Sequence, residues 1–371
     1  MTAETGRIDY LDGIRAVAIG AVLSLHWLSW YSPLFHGGSI GVDVFFVLSG
    51  FIITTMLWRW QGPTALAAGW WAFVRRRIIR LYPALLGLVV IGVILYAVVP
   101  SAPLGPGEVA QRGVLVLSQA SAIWAADQSG SFWLPALQPF GQTWSLAIEW
   151  YFYLLWPLVV LAARSRGLGA RRFAVTSLGT AAGLYLVSLP MSDFWFYFGP
   201  TARFAELLVG GALALWFLAR ETPVQPWQHA TPASVAAVAA IGAITLFAPA
   251  AHSPLYRYVE IPVTVLATVV LIVAGYSAVD GPVHRLLRHR WLAMVGRASY
   301  SLYLWHIVPM LLLEESDLPK PVLGLMAVAA TVVLTVLSYR LLEKPFLRPR
   351  SDVLRPASIA REVSTSSTTG G

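Results

Sequence analysis

Arg15 and His26 stand eleven residues apart in a mostly apolar run, IRAVAIGAVLSLHWLSW. As a helix, that interval turns about 1,100°, three turns and roughly 20° more, so both side chains share one face about 16 Å apart along the axis. A neutral imidazole is a good base near neutral pH. A guanidinium binds anions. Together they suit a long donor molecule with an anionic head and a reactive end. Each residue also has a plainer reading: Arg15 as an anchor snorkelling to a membrane interface, and His26 as a hydrogen-bonding member of a helix bundle.

Seven further residues lie in comparable settings. Asp43, in IGVDVFFVLSGF, is placed either to orient and charge-stabilise His26 or to sit in water as a helix N-terminal charge. Gly41, Ser49 and Gly50 of the same run predict close helix approach. Glu149, in QTWSLAIEWYFYLLWP, is about a turn and a half inside its run and flanked by aromatics. A carboxylate is costly there unless paired or protonated. In WWAFVRRRIIRLYP, Arg77 and Arg80 are three apart on one helical face. They suit bidentate phosphate contacts, or they belong with Arg75 and Arg76 to a charge cluster that sets topology. Pro83 is expected to open the following span. Arg203 and Glu206 are a turn apart and expected to pair with each other. His306, midway through ASYSLYLWHIVP, reads as a second acid/base or as a structural hydrogen-bonder.

These residues need elements that hold them in lipid. The chain has 371 residues, 57% of them hydrophobic and 12% charged, and its mean hydropathy is +0.67. Soluble domains carry about 25% charged residues. With no cysteine, a disulfide framework, a thiolate metal site and a cysteine nucleophile are excluded. The net charge of +8 falls in short loops between apolar runs, which points to topology rather than to nucleic acid. Ten runs are long enough to span a membrane: 14–31, 40–58, 83–100, 144–163, 173–189, 203–219, 232–250, 260–279, 299–315 and 322–342. The weaker run 113–126 is expected as an interfacial or re-entrant segment in a long loop. Alternating the runs from a cytoplasmic N-terminus puts the arginine-rich loops around residues 75–80, 164–172 and 285–297 on one side. That arrangement predicts both termini in the cytoplasm. No cleavable leader is expected, because Asp9, Asp12 and Arg15 precede the first run and no small-residue cleavage site follows it. The expected fold is an all-α polytopic membrane domain over 1–350. A polar tail over 351–371 is expected to be disordered.

The segments YLDGIRAVAI with His26, GGSIGVDVFFVLSGFIIT, RRRIIRLYPA, QTWSLAIEWYFYLLWP, SYSLYLWH and EKPF, in that order, resemble the acyltransferase-3 family of bacterial membrane O-acyltransferases. The resemblance runs from about residue 7 to residue 346. It implies a multi-pass protein of the bacterial cytoplasmic membrane that moves an acyl group, commonly acetyl, from acyl-CoA to a hydroxyl of a glycan or a natural product. The family's Arg and His fall on Arg15 and His26, its R-x-x-R on Arg77 and Arg80, its GVD acid on Asp43 and its WSL-x-x-E acid on Glu149. The implied catalytic set is therefore His26, Asp43 and Glu149, with Arg15, Arg77 and Arg80 binding the acyl-CoA, and no metal. Ala147, Trp150 and Tyr151 stand where many members have Ser, Glu and Gln. The resemblance points to a member without the soluble esterase-like domain that others carry. The rival expectation from the residues alone is a transporter or flippase of a glycan or lipid-linked intermediate.

Overall fold

The computed structural model describes residues 3–29, 31–63, 65–99, 102–220, 227–277, 280–314 and 316–347. The expected tail, 351–371, lies outside them. The described residues are helical throughout, without a strand: α1 (Ala3–Leu28), α2 (Ile40–Trp58), α3 (Leu66–Val98), α4 (Pro106–Leu117), α5 (Ser121–Ala126), α6 (Trp144–Ser165), α7 (Ala170–Ser188), α8 (Asp193–Phe198), α9 (Pro200–Leu218), α10 (Ala230–Phe247), α11 (Ile261–Tyr276), α12 (Pro282–Leu287), α13 (Arg290–Arg297), α14 (Ser299–Trp305), α15 (Val308–Leu313) and α16 (Lys320–Ser338). Two π-helical turns, Tyr256–Glu260 and Tyr339–Glu343, extend α11 and α16.

Among the described residues, eight helical segments are long and apolar enough to cross a membrane, and the protein is a multi-pass membrane protein. They correspond to eight of the ten runs. The run 173–189 forms α7, which is 19 residues long but interrupted by Thr, Ser and Gly. The run 299–315 is not one helix. It breaks at His306–Ile307 into α14 and α15. Pro309 supplies the reason: it has no N–H to offer the Trp305 carbonyl, and its ring crowds that oxygen. The segment 113–126 becomes α4 and α5, both too short to span.

Pro83 also departs from expectation. It lies inside the 33-residue α3 rather than opening a span. Proline is tolerated within membrane helices where neighbours satisfy the freed backbone. The Tyr300 hydroxyl donates to the Leu81 carbonyl at 2.9 Å and ties α14 to this stretch of α3. Arg77 and Arg80 therefore belong to the same helix as the apolar stretch that follows them.

The helices around the central α2 approach to backbone contact. A Cβ at Gly50 would lie 1.8 Å from the Leu207 carbonyl oxygen, and one at Gly210 would lie 2.0 Å from that of Val47. The α2–α9 seam thus requires glycine on both sides, as small-residue membrane packing does. Gly41 meets the Ala18 carbonyl of α1 in the same way. Ser49, expected with these glycines, has another role described below.

Candidate active site

α2 acts as a ruler through the bundle. Reading from its start, Asp43, Ser49 and Met56 are the contacts for three successive polar layers. At 1.5 Å per residue, the first and last are about 20 Å apart.

The first layer joins Asp43 to α9 and to the π-turn before α11. Asp43 accepts from the Arg203 guanidinium and from the Tyr256 hydroxyl at 3.0 and 3.1 Å. Arg203 also donates to Glu206 at 2.7 Å and to the Tyr197 carbonyl at 2.9 Å. All four side chains are buried. Arg203 and Glu206 do pair, as expected, but Asp43 completes the group. Its carboxylate faces Arg203 and Tyr256 rather than His26, so the triad-like orienting role does not describe this arrangement. The cluster instead clamps α8. Tyr197 and its neighbours Phe194 and Phe198 pack on Phe132 with ring centroids 4.6–5.4 Å apart.

Phe132 adjoins Trp133, whose indole meets the His26 ring edge-on at 5.5 Å. His26 is held by its own helix. Its Nδ1 lies 2.8 Å from the Val22 carbonyl oxygen, which can only accept. Nδ1 therefore carries the proton, and Nε2 is left as the basic nitrogen. His306 stands beside it, ring centroids 4.8 Å apart at 75°. The same device holds His306, with Nδ1 2.7 Å from the Tyr303 carbonyl oxygen. It is 0% exposed, and its Nε2 is buried without a hydrogen-bond partner. The break between α14 and α15 builds this corner. It frees the His306 carbonyl to accept from the Trp27 indole at 3.0 Å, while Leu304 O accepts from Gln142 at 2.7 Å. Non-helical backbone at membrane depth occurs where it is buried in protein or lines a cavity.

The middle layer holds Glu149. It accepts from Ser49 at 2.6 Å and from Tyr153 at 2.8 Å. The structure thus groups Glu149 with the third layer rather than with His26. Arg77 lies against the Tyr153 and Phe73 rings at 5.4 and 5.0 Å and donates to Met56 Sδ at 3.0 Å. Arg77 is buried under this cover. Arg80 is partly exposed, and its Nε is buried without a partner. Arg80 is the more exposed arginine of the R-x-x-R pair, and Arg77 is the one packed against Tyr153, which donates to Glu149.

Arg15, about three turns before His26 and midway along α1, donates to Ser299 Oγ at 3.0–3.2 Å and to the Gly296 carbonyl at 3.3 Å. Because α1 is unbroken from Ala3 to Leu28, the sequence-derived separation of about 16 Å applies. The arrangement therefore has two imidazole bases at one end, arginines at the other and a hydrogen-bonded carboxylate between them. Among the described residues, no cluster of three or more His, Cys, Asp or Glu side chains could hold a metal. Spacing put Arg15 and His26 on one helix face; of the two settings expected for Asp43, the structure shows it in the first turn of α2, bonded to Arg203 and Tyr256. Spacing left His306 with two readings because the helix break that brings it to His26 carries only one sequence signal, Pro309.

Comparison with known proteins gives this geometry a context. A family model described as an acyltransferase domain matches residues 8–340. The chain is 31% identical over 361 residues to the peptidoglycan O-acetyltransferase OatA of Listeria monocytogenes, covering 91% of this chain and 55% of that protein. It is 28% identical over 359 residues to the O-acetyltransferase OatA of Staphylococcus aureus, covering 90% of this chain and 56% of that protein. The chain thus spans about half the length of these curated relatives. No solved structure matches it.

Proposed function

Because the chain belongs to the acyltransferase-3 family, we propose that it is an O-acetyltransferase of the bacterial cytoplasmic membrane, moving an acetyl group from acetyl-CoA to a hydroxyl of a cell-envelope glycan. The observation that carries the reading is the His26 imidazole, fixed with Nε2 as the base in the last turn of α1, about three turns from Arg15 on the same helix. Arg80 and Arg15 receive the donor's phosphates, and Arg77 sets the Glu149 layer beside its path. The donor arm reaches along the bundle to place its thioester at His26. The acceptor O–H gives its proton to His26 Nε2 as its oxygen attacks the thioester carbonyl. The C–S bond breaks, and the departing sulfur takes the proton from His26. His306 is the second imidazole of the pair. Two imidazolium ions in ring contact would repel in so dry a setting, so only one of the two rings takes up the transferred proton at a time. Asp43 acts at a distance, through Arg203, α8 and Phe132, by holding Trp133 over His26.

The test is turnover of radiolabelled acetyl-CoA by the purified protein beside His26→Ala and Glu149→Gln. Loss of label transfer in His26→Ala, with an unchanged elution profile, supports the assignment. A fully active His26→Ala protein would sink it. Wild-type protein that neither binds nor turns over acetyl-CoA, with glycan acceptors supplied, would favour the transport reading instead.

A further inference from the structure

We propose that the cleft between α4 and α5 is the acceptor subsite and that it takes an uncharged pyranose ring of a glycan. This rests on the acyl-transfer reading above. The cleft has a volume of about 290 Å³ and is lined by Glu108, Gln111, Arg112, Leu115, Trp124 and Ala136. That is near the lower limit of ligand clefts, about 300 Å³, and is room for one or two sugar rings rather than a long chain.

The lining chemistry points to a neutral, hydroxyl-rich ligand. Trp124 offers an indole face for the C–H face of a sugar ring. Gln111 and Glu108 offer an amide and a carboxylate for hydroxyl and acetamido groups. Arg112 lies 3.7 Å from Glu108, so the cleft holds one cation and one anion already paired. A polyanion such as the CoA phosphates would meet Glu108 with no surplus positive charge to offset it.

The cleft is also built rather than incidental. Arg112 donates to the carbonyls of Pro135 and Gln138, which fixes its guanidinium and ties α4 to the 133–138 turn. Tyr151 of α6 donates to the Gln119 carbonyl at 2.7 Å. Gln119 links α4 to α5 in a left-handed conformation, φ 59°, so this bond sets the angle between the two walls. The same short turn then carries both contacts that matter. Ala136 lines the cleft, and Trp133, 39% exposed, lies against His26. The cleft wall at Ala136 is thus three residues from the tryptophan whose indole meets His26. A row of tryptophans placed only to anchor the protein at the membrane interface would not need Arg112 or Tyr151 to hold this shape.

The experiment uses the full chain in lipid nanodiscs with acetyl-CoA and chitotetraose, a soluble N-acetylhexosamine oligomer. Steady-state kinetics are read for wild type, Gln111→Ala, Trp124→Ala, Trp124→Phe and Tyr151→Phe. Saturation-transfer NMR reports chitotetraose binding without turnover. The expected result is a rise of fivefold or more in KM for the oligomer in Gln111→Ala and Trp124→Ala, with KM for acetyl-CoA unchanged. Partial recovery is expected in Trp124→Phe, an intermediate effect in Tyr151→Phe, and loss of the saturation-transfer signal in Trp124→Ala. Gln111 is exposed, so its variant guards against misfolding at Trp124. Normal transfer by wild type with unchanged oligomer KM in both alanine variants would overturn the subsite and leave the acyl-transfer reading intact. A Trp124-dependent binding signal without any acetyl-CoA turnover would do the reverse. Tryptophan variants that change only thermal stability, to the same degree with and without oligomer, would make Trp124 an interfacial anchor and overturn the proposal.

Discussion

The two histidines are fixed by carbonyls of their own chain segments, which makes their chemistry testable residue by residue. Substituting His26 by Ala removes the base and is expected to lower the transfer rate by about 10²–10⁴-fold, measured as labelled ester formed per protein. His306→Gln keeps a hydrogen-bonding side chain but no titratable ring. It is expected to lower kcat by about 10-fold or more with KM for acetyl-CoA unchanged, and to alter the acidic limb of the kcat–pH profile. An unchanged profile would reduce His306 to packing. Much of this was legible in the sequence, since an interval of eleven positions from Arg15 to His26 puts both on a common helix face. Asp43 was visible as a buried-acid candidate, but its partner was not, because Arg203 comes from 160 residues further along the chain. Local spacing says nothing about which helix will lie opposite.

At the level of elements, the bundle is organised by places where helices touch or break. At the α2–α9 seam the obstacle to a larger residue is main chain, which cannot rotate away. Gly50→Val and Gly210→Val are each expected to cost more than the about 1–3 kcal/mol typical of overpacked cores, read as a lower melting temperature in detergent or as failure to insert. The glycines of α2 were legible as approach points; their partner on α9 was not. The broken span is the opposite case. Pro309→Ala restores the missing N–H and favours one continuous helix through 299–313. It is expected to raise or preserve thermal stability while lowering transfer, because His306 would turn away from His26. A variant that keeps full activity would show that the break is incidental. Apolar runs reveal how much chain lies in lipid, but not a kink of two residues, because the apolar residues continue on both sides of His306.

On the scale of the whole molecule, sidedness can be read chemically, because the chain has no cysteine. Single cysteines at Gln111 and at Gly167, both exposed, can be probed with a membrane-impermeant maleimide on intact cells. The loop charges predict that Gln111→Cys is labelled from outside and Gly167→Cys only after lysis. The reverse pattern would invert the bundle and move the histidine pair to the cytoplasmic side. The buried charge cluster tests how the two halves of the chain are joined. Arg203→Met leaves Asp43 and Glu206 without their cation in a dry interior. It is expected to destabilise the fold by about 3–5 kcal/mol, with partial recovery when Asp43→Asn and Glu206→Gln are added, followed by thermal melting.

The way both imidazoles are pinned has a consequence for how this protein can diverge. A side-chain partner, such as the carboxylate of a triad, is lost by one substitution. Here the orienting acceptors are the Val22 and Tyr303 carbonyl oxygens, which every amino acid at those positions supplies. Residues 22 and 303 can therefore drift in identity without releasing either ring, provided the local helix persists. Sequence comparison among distant members would miss them altogether, although they hold the reactive nitrogens in place.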